Sequence, residues 1–168
     1  MTMHVQDVTV TYRGRTLVDV DDVHLEPGRP VTIVGESGSG KSLLAHAVMG
    51  TSAPGLHPQG RMTLDGTTYD LADRRHGRRL WGSTLALLPQ EPALALDPTM
   101  RVREQVAEGH PVFTRSRGTA LAAATTRLTS LGLGDRGRAY PHTLSGGMAQ
   151  RVAFAAATVG GAPVLLAD

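Results

Sequence analysis

The eight residues GESGSGKS at positions 35–42 constrain this chain more than any other stretch. They match the pattern G-x-x-x-x-G-K-[ST], follow the apolar run VTIV and precede LLAHAVMG, which reads as a helix. A strand, a glycine-rich turn and a helix in that order let backbone N–H groups converge on phosphate oxygens, with the positive helix end aimed at the same point. In such a loop the lysine reaches the terminal phosphates and the hydroxyl after it takes a divalent cation. Among 17 basic residues Lys41 is the only lysine, every other being arginine. A slim ammonium enters a tight cradle as a point charge where a planar guanidinium would not fit.

The bulk properties are those of one folded domain. With 168 residues, 40% hydrophobic and 19% charged, the chain is long enough to bury a core and too apolar for disorder. The absence of cysteine rules out disulfides and thiolate metal sites, and seven scattered histidines suggest no metal cluster. The start MTMHVQDVTV alternates polar and apolar residues and lacks the features of a secretory signal, so a cytosolic start is expected. The charge-free stretch 152–167 is broken by Gly160, Gly161 and Pro163 and falls short of the roughly 20 apolar residues of a membrane span. A net charge of +2 is no argument for nucleic acid, and the one basic run, DRRHGRRL at 73–80, reads as a solvated surface turn with no interleaved aromatics.

Along the chain, Val8, Val10 and Tyr12, then Val18 and Val20, then Val23 and Leu25 follow a period of two and predict half-buried strands. Asp65-Gly66 inside RMTLDGTTYDL predicts a tight hairpin turn. PVTIVG and STLALLP read as short strands buried on both faces. From Pro89 the texture becomes helical, with Leu121, Leu128 and Leu131 at helical spacing. SGGMAQRVAFAAATVGG predicts a helix with Ser145 near its start and a glycine stop, and APVLLAD a return to a buried strand.

The stretch YPHTLSGGMAQR at 140–151 resembles the signature of the ATP-binding cassette (ABC) ATPases, in the form found in importers of oligopeptides, dipeptides or nickel. PQEPALALDPTMRVREQVAE around Gln90 is similar to the same group, and the phosphate loop, glutamine loop, signature and terminal strand occur in that family's order. The resemblance implies an α/β fold: a P-loop NTPase (RecA-like) core with an N-terminal antiparallel β layer and an inserted helical subdomain, its core sheet incomplete at the C-terminus. It assigns 1–88 to the β layer and ATP-binding core, 89–150 to the glutamine loop and helical subdomain, and 151–168 to the return to the core through the signature helix and terminal strand.

The resemblance also implies roles. Tyr12 stacks on adenine, and Gly35, Ser37, Gly38, Ser39, Gly40, Lys41 and Ser42 hold the phosphates of ATP. Ser42, Gln90 and Asp168 serve Mg2+, with Gln90 touching the cation or the attacking water. Ser145, Gly146, Gly147 and Gln150 face the ATP of a partner subunit, a role suited to exposed N–H groups at a helix start. Lys41, Gln90 and Asp168 form the catalytic set. The implied partners are a second ABC ATPase subunit, in a homo- or heterodimer, transmembrane permease subunits and, indirectly, an extracellular solute-binding protein. Nucleic acid is not among them. The place is the cytoplasmic face of the membrane, as a peripheral subunit.

In the family the strand ending at Asp168 is followed by a catalytic glutamate and later by a switch histidine, neither of which these residues include. The chain as given is therefore expected to bind ATP better than it turns it over. Two other readings stay open on the residues alone: a non-hydrolysing nucleotide-binding partner, and a soluble cassette ATPase working on DNA or ribosomes. The basic run is the only support for the last. Lone arginines on a solvated segment give weak, salt-sensitive binding. A gel-shift titration at physiological salt is thus expected to show no tight binding to duplex or single-stranded DNA.

Overall fold

A computed structural model of the chain describes residues 1–73, 75–91 and 94–168. They form two compact units, Met1–Leu80 and Trp81–Asp168.

The first unit is a four-stranded antiparallel sheet with two helices. Its strands are β1 (Met3–Tyr12), β2 (Arg15–Leu25), β3 (Leu56–Leu64) and β4 (Thr67–Asp70), in the order β2-β1-β3-β4. Met3, Val5, Val8 and Val10 of β1 are all buried, although the step from Val5 to Val8 breaks the period of two. The break is a bulge. The β1–β3 register shifts between Gln6 and Thr9, and Asp7 takes a positive φ of 53°. Extra residues there return the later valines to the core face. Opposite the bulge Gly60 has φ 121°, and a Cβ on it would lie 2.8 Å from the Asp7 carbonyl oxygen and 2.9 Å from that of Gln6. At the β3–β4 hairpin Asp65 and Gly66 both have positive φ, the tight turn the sequence predicts.

Helix α1 (Lys41–Met49) packs on β1 and buries Leu44, Ala47, Val48 and Met49. The run VTIV before the phosphate loop departs from expectation. It forms no strand, and Val31, Ile33 and Val34 are exposed, Val34 to 88%. A strand persists through ladder hydrogen bonds, and among the described residues no strand pairs with this run. The basic run is also more ordered than a solvated turn. Residues Arg75–Leu80 form a short helix, α2, that buries His76 and Leu80; Arg74 lies outside the described residues. His76 Nε2 is 3.1 Å from the Val48 carbonyl oxygen and Nδ1 2.6 Å from that of Asp73. A neutral imidazole donates to one of these carbonyls, which ties the ring inside while Arg75, Arg78 and Arg79 stay in water.

The second unit joins a two-stranded parallel sheet to a helical core. Strand β5 (Leu85–Leu88) pairs with β6 (Val164–Ala167), from Leu85↔Val164 to Leu88↔Ala167. Between them come α3 (Val102–Glu108), α4 (Arg117–Ser130) and α5 (Gly146–Thr158), with 3-10 turns at Gly134–Arg136 and Pro141–Thr143. The helical core is Val102, Val106, Ala124, Leu128, Leu133, Val152 and Ala155, with Leu121 and Leu131 partly buried against it. β6 was expected to be buried throughout, yet only Val164 is, and Leu165 is exposed. A strand with a single ladder partner keeps one edge and part of one face in water. Among the described residues no helix is long and apolar enough to cross a membrane.

Gly60→Ala combines a strained φ with a backbone clash and is expected to destabilise the chain by roughly 2–3 kcal/mol. Gly118 lies in α4 with open space around its Cα, so Gly118→Ala is expected to stabilise by roughly 0.5–1 kcal/mol. Urea midpoints moving in opposite directions would show both.

Candidate functional site

In the first unit the phosphate-loop residues 35–39 are exposed, and the loop runs directly into α1. Lys41 lies within it. Its Nζ donates to the carbonyl oxygens of Gly35 (2.8 Å) and Glu36 (2.7 Å) and to Ser39 Oγ (3.2 Å). Three donors thus meet three neutral oxygens of the same loop. Gly40 is the N-cap of α1, with φ 94° and no side chain to cap the helix. A Cβ at Gly40 would come within 2.7 Å of Val18 Cγ2 and 3.0 Å of the Leu17 carbonyl oxygen, so both conformation and crowding demand glycine. Gly40 brings no side-chain cap to the start of α1, the end of a helix where the dipole favours an anion. Ser42 stands at the second helical position. Tyr12 ends β1, 39% exposed, with the Arg13 guanidinium 5.1 Å from its ring centroid.

In the second unit Asp168 and Gln90 share the C-terminal end of the parallel pair. The Asp168 N–H donates to the Leu88 carbonyl oxygen at 3.0 Å, two residues before the exposed Gln90. Ligands of parallel sheets gather at the carboxyl ends of the strands. Of the residues after Gln90, Pro92 and Ala93 lie outside the described ones.

Ser145 is the N-cap of α5, its Oγ accepting the Met148 N–H at 3.3 Å. Gly146 and Gly147 are exposed in the first turn, and a Cβ on either would meet nothing within 4 Å. Neither crowding nor a positive φ calls for glycine there, although glycine costs a helix about 1 kcal/mol relative to alanine. The missing side chains leave the helix start open to something from outside. Gln150 is exposed one turn further on.

Residues that the sequence did not single out hold the segment beyond Gln90. Gln105 is buried in α3; its Nε2 donates to the carbonyl oxygens of Asp97 and Met100 (2.9 Å each), and its Oε1 accepts the Asp97 N–H at 2.9 Å. The Thr99 hydroxyl and N–H both donate to Asp97 Oδ1, at 2.6 and 2.8 Å, and hold that carboxyl below its usual range. Asp-Pro-Thr is a legible turn signal; the Gln105 clamp leaves no trace in periodicity. A pocket of about 210 Å³ beside Arg103, Leu128, Gly134 and Gly137 contains none of the predicted site residues.

The profile of the family described as ABC transporter matches residues 18–168. A Brucella melitensis protein named as a peptide import ATP-binding protein is 38% identical over 93% of this chain and 50% of its own length. The dipeptide transport ATP-binding protein DppD of Lactococcus lactis is 35% identical over 86% of this chain and 43% of its own, and the oligopeptide transport ATP-binding protein OppD of Mycobacterium tuberculosis 36% identical over 99% and 29%. The chain thus spans half the length of such curated relatives or less. Among solved structures, a dimeric ATP-binding cassette in a post-hydrolysis state with ADP and phosphate shares the fold, with a TM-score of 0.79 over 99% of this chain and 73% of that one, at 24% identity.

Ser145→Ala is expected to cost about 1 kcal/mol through the lost cap. Gly147→Ala should instead stabilise α5 by about 0.5–1 kcal/mol, since nothing obstructs the added methyl. Thermal melts of the two variants should shift in opposite directions. Because the Asp97 carboxyl titrates low when folded, its contribution is present above its unfolded pKa and fades as pH falls through the folded value. Thr99→Val should raise the Asp97 pKa and remove that part of the acid-side dependence, as an NMR titration of the carboxyl would register.

Proposed function

The chain belongs to the ABC transporter family, and on that footing we propose that it is the ATP-binding portion of a peptide-import ATPase subunit. The observation that carries the reading is the loop at 35–42, with Lys41 Nζ drawn onto Gly35, Glu36 and Ser39 at the mouth of α1. Those acceptors are neutral, and a phosphate oxygen is a charge-assisted acceptor that replaces them. Lys41 then bonds the terminal phosphates of ATP, the loop amides hold the rest, and Tyr12 stacks on the adenine.

Ser42, Gln90 and Asp168 supply oxygen donors of the kind that suits magnesium. Among the described residues no group of three or more His, Cys, Asp or Glu could hold a metal, which accords with a cation carried mainly by phosphate oxygens and water. A magnesium ion held there with ATP would supply neutralisation of phosphate charge. Gly146 and Gly147 at the open start of α5, with Ser145, face the γ-phosphate of an ATP held by a second cassette, and Gln150 lies beside them. Catalysis by such a pair is mostly positioning and electrostatic stabilisation of the phosphoryl group in flight. The permease subunits that it drives, and the cytoplasmic membrane face on which it sits, follow the peptide-import names of the relatives.

Calorimetric titration with Mg-ATP is expected to show affinity at least about tenfold weaker, ~1.4 kcal/mol, in Lys41→Ala than in the parent chain. Equal affinity would reject the loop as the nucleotide site. In the full-length protein reconstituted with its permease, Asp168→Asn should lower kcat by about 10²-fold or more while ATP still binds. Wild-type turnover in that variant would remove Asp168 from the catalytic set.

A further inference from the structure

The first turn of α3 is fastened by a distant piece of chain. Its N-cap, Arg101, makes no side-chain cap, and the Val102 and Arg103 N–H groups donate instead to the carbonyl oxygens of Ala139 and Gly137, both at 2.9 Å. These are donors that a helix start leaves without intrahelical acceptors, so the segment at 137–139 serves as the cap. The Arg101 side chain adds to the same tie. Its guanidinium donates from Nη1 to the Arg138 carbonyl oxygen at 3.0 Å and lies 5.3 Å from the centroid of the Tyr140 ring. Tyr140 in turn stacks on His142, at 5.8 Å between centroids and 12° between planes.

From Tyr140 to Ser145 the chain has little slack. The Thr143 N–H and hydroxyl both donate to the Tyr140 carbonyl oxygen, at 3.0 and 2.7 Å, and the Leu144 N–H donates to that of Pro141 at 3.0 Å. Leu144 packs on the helical core, and Ser145 opens α5 directly after it. In the middle of α3, Gln105 clamps the Asp97 and Met100 backbone of the segment before the helix. A continuous set of contacts therefore runs from that segment through α3 and Arg101 to the start of α5.

We propose that Arg101 is a positioning residue that sets where Ser145, Gly146 and Gly147 stand, and that it does so through the Arg138 carbonyl and the Tyr140 ring. The role requires arginine. A planar guanidinium can donate to a carbonyl in its plane while presenting its face to a ring, whereas an ammonium offers only a point charge. The catalytic consequence rests on the proposed role of residues 145–147 at ATP; the geometric tie does not.

Amide exchange on this chain tests the tie. In Arg101→Ala, exchange at 140–145 is expected to accelerate about tenfold, while core amides at Ala124, Leu128 and Val152 keep their protection and Mg-ATP affinity is unchanged. Arg101→Lys should recover only part of the protection. Tyr140→Leu should loosen the same residues, and the double variant should be looser by less than the sum of the two single effects, because both remove the guanidinium–ring contact. Unchanged exchange at 140–145, or additive effects in the double variant, overturns the proposal. In the full-length protein Arg101→Ala is expected to lower kcat about tenfold at constant KM. Accelerated exchange with wild-type kcat would equally overturn the positioning role. A parent protein that binds no ATP would instead refute the functional reading and leave the exchange arm to decide the tie.

Discussion

A strand turns every second side chain to the same face, and β1 uses that rule to organise the first unit. Its buried residues Met3, Val5, Val8 and Val10 keep to one face only because a bulge at Asp7 absorbs the break in the pattern. α1 lies on this strand, so the burial that fixes the helix also fixes the loop entering it. At the end of that loop Gly40 lies so close to Val18 and Leu17 of β2 that no Cβ would fit. The aim of the α1 start is thus a by-product of hydrophobic packing, since the same apolar contacts that hold α1 orient its positive end.

The second unit is governed by what becomes of its helix starts. α3 has its first donors taken by the carbonyls at 137 and 139, a closed arrangement that ties two distant segments together. α5 keeps an open start: Ser145 satisfies one donor, and the two glycines after it leave room that no described residue fills. A helix end satisfied internally serves as a joint, and one left open can take a ligand.

Local signals were legible wherever a short stretch of chain settles its own conformation. Asp65-Gly66 gave the hairpin, Ser145 the start of α5 and the leucine spacing α4, because turn chemistry, capping and helical periodicity act within a few residues. The outcome differed where a partner was needed. VTIV has the composition of a buried strand, but composition supplies no adjacent edge, and the run stays exposed. His76 looked like part of a solvated basic run because its acceptor on Val48 lies 28 residues away.

The sequence by itself determined the chemistry on offer: one lysine within a glycine loop, glycines at the start of a helix, and the order of motifs that places the chain in its family. Those features are residue types and short spacings, and they hold whatever the chain packs against. Only the tertiary structure decided that Lys41 rests on the loop's own oxygens, that Gln105 clamps the segment after Gln90, and that Arg101 reaches the approach to Ser145. Arg101 and Arg138 are 37 residues apart, and their contact exists only because α3 and α4 share a hydrophobic core that brings both ends of the intervening chain to one place. Burial of apolar side chains is cooperative and non-local, so it sets distances that no short window of sequence contains.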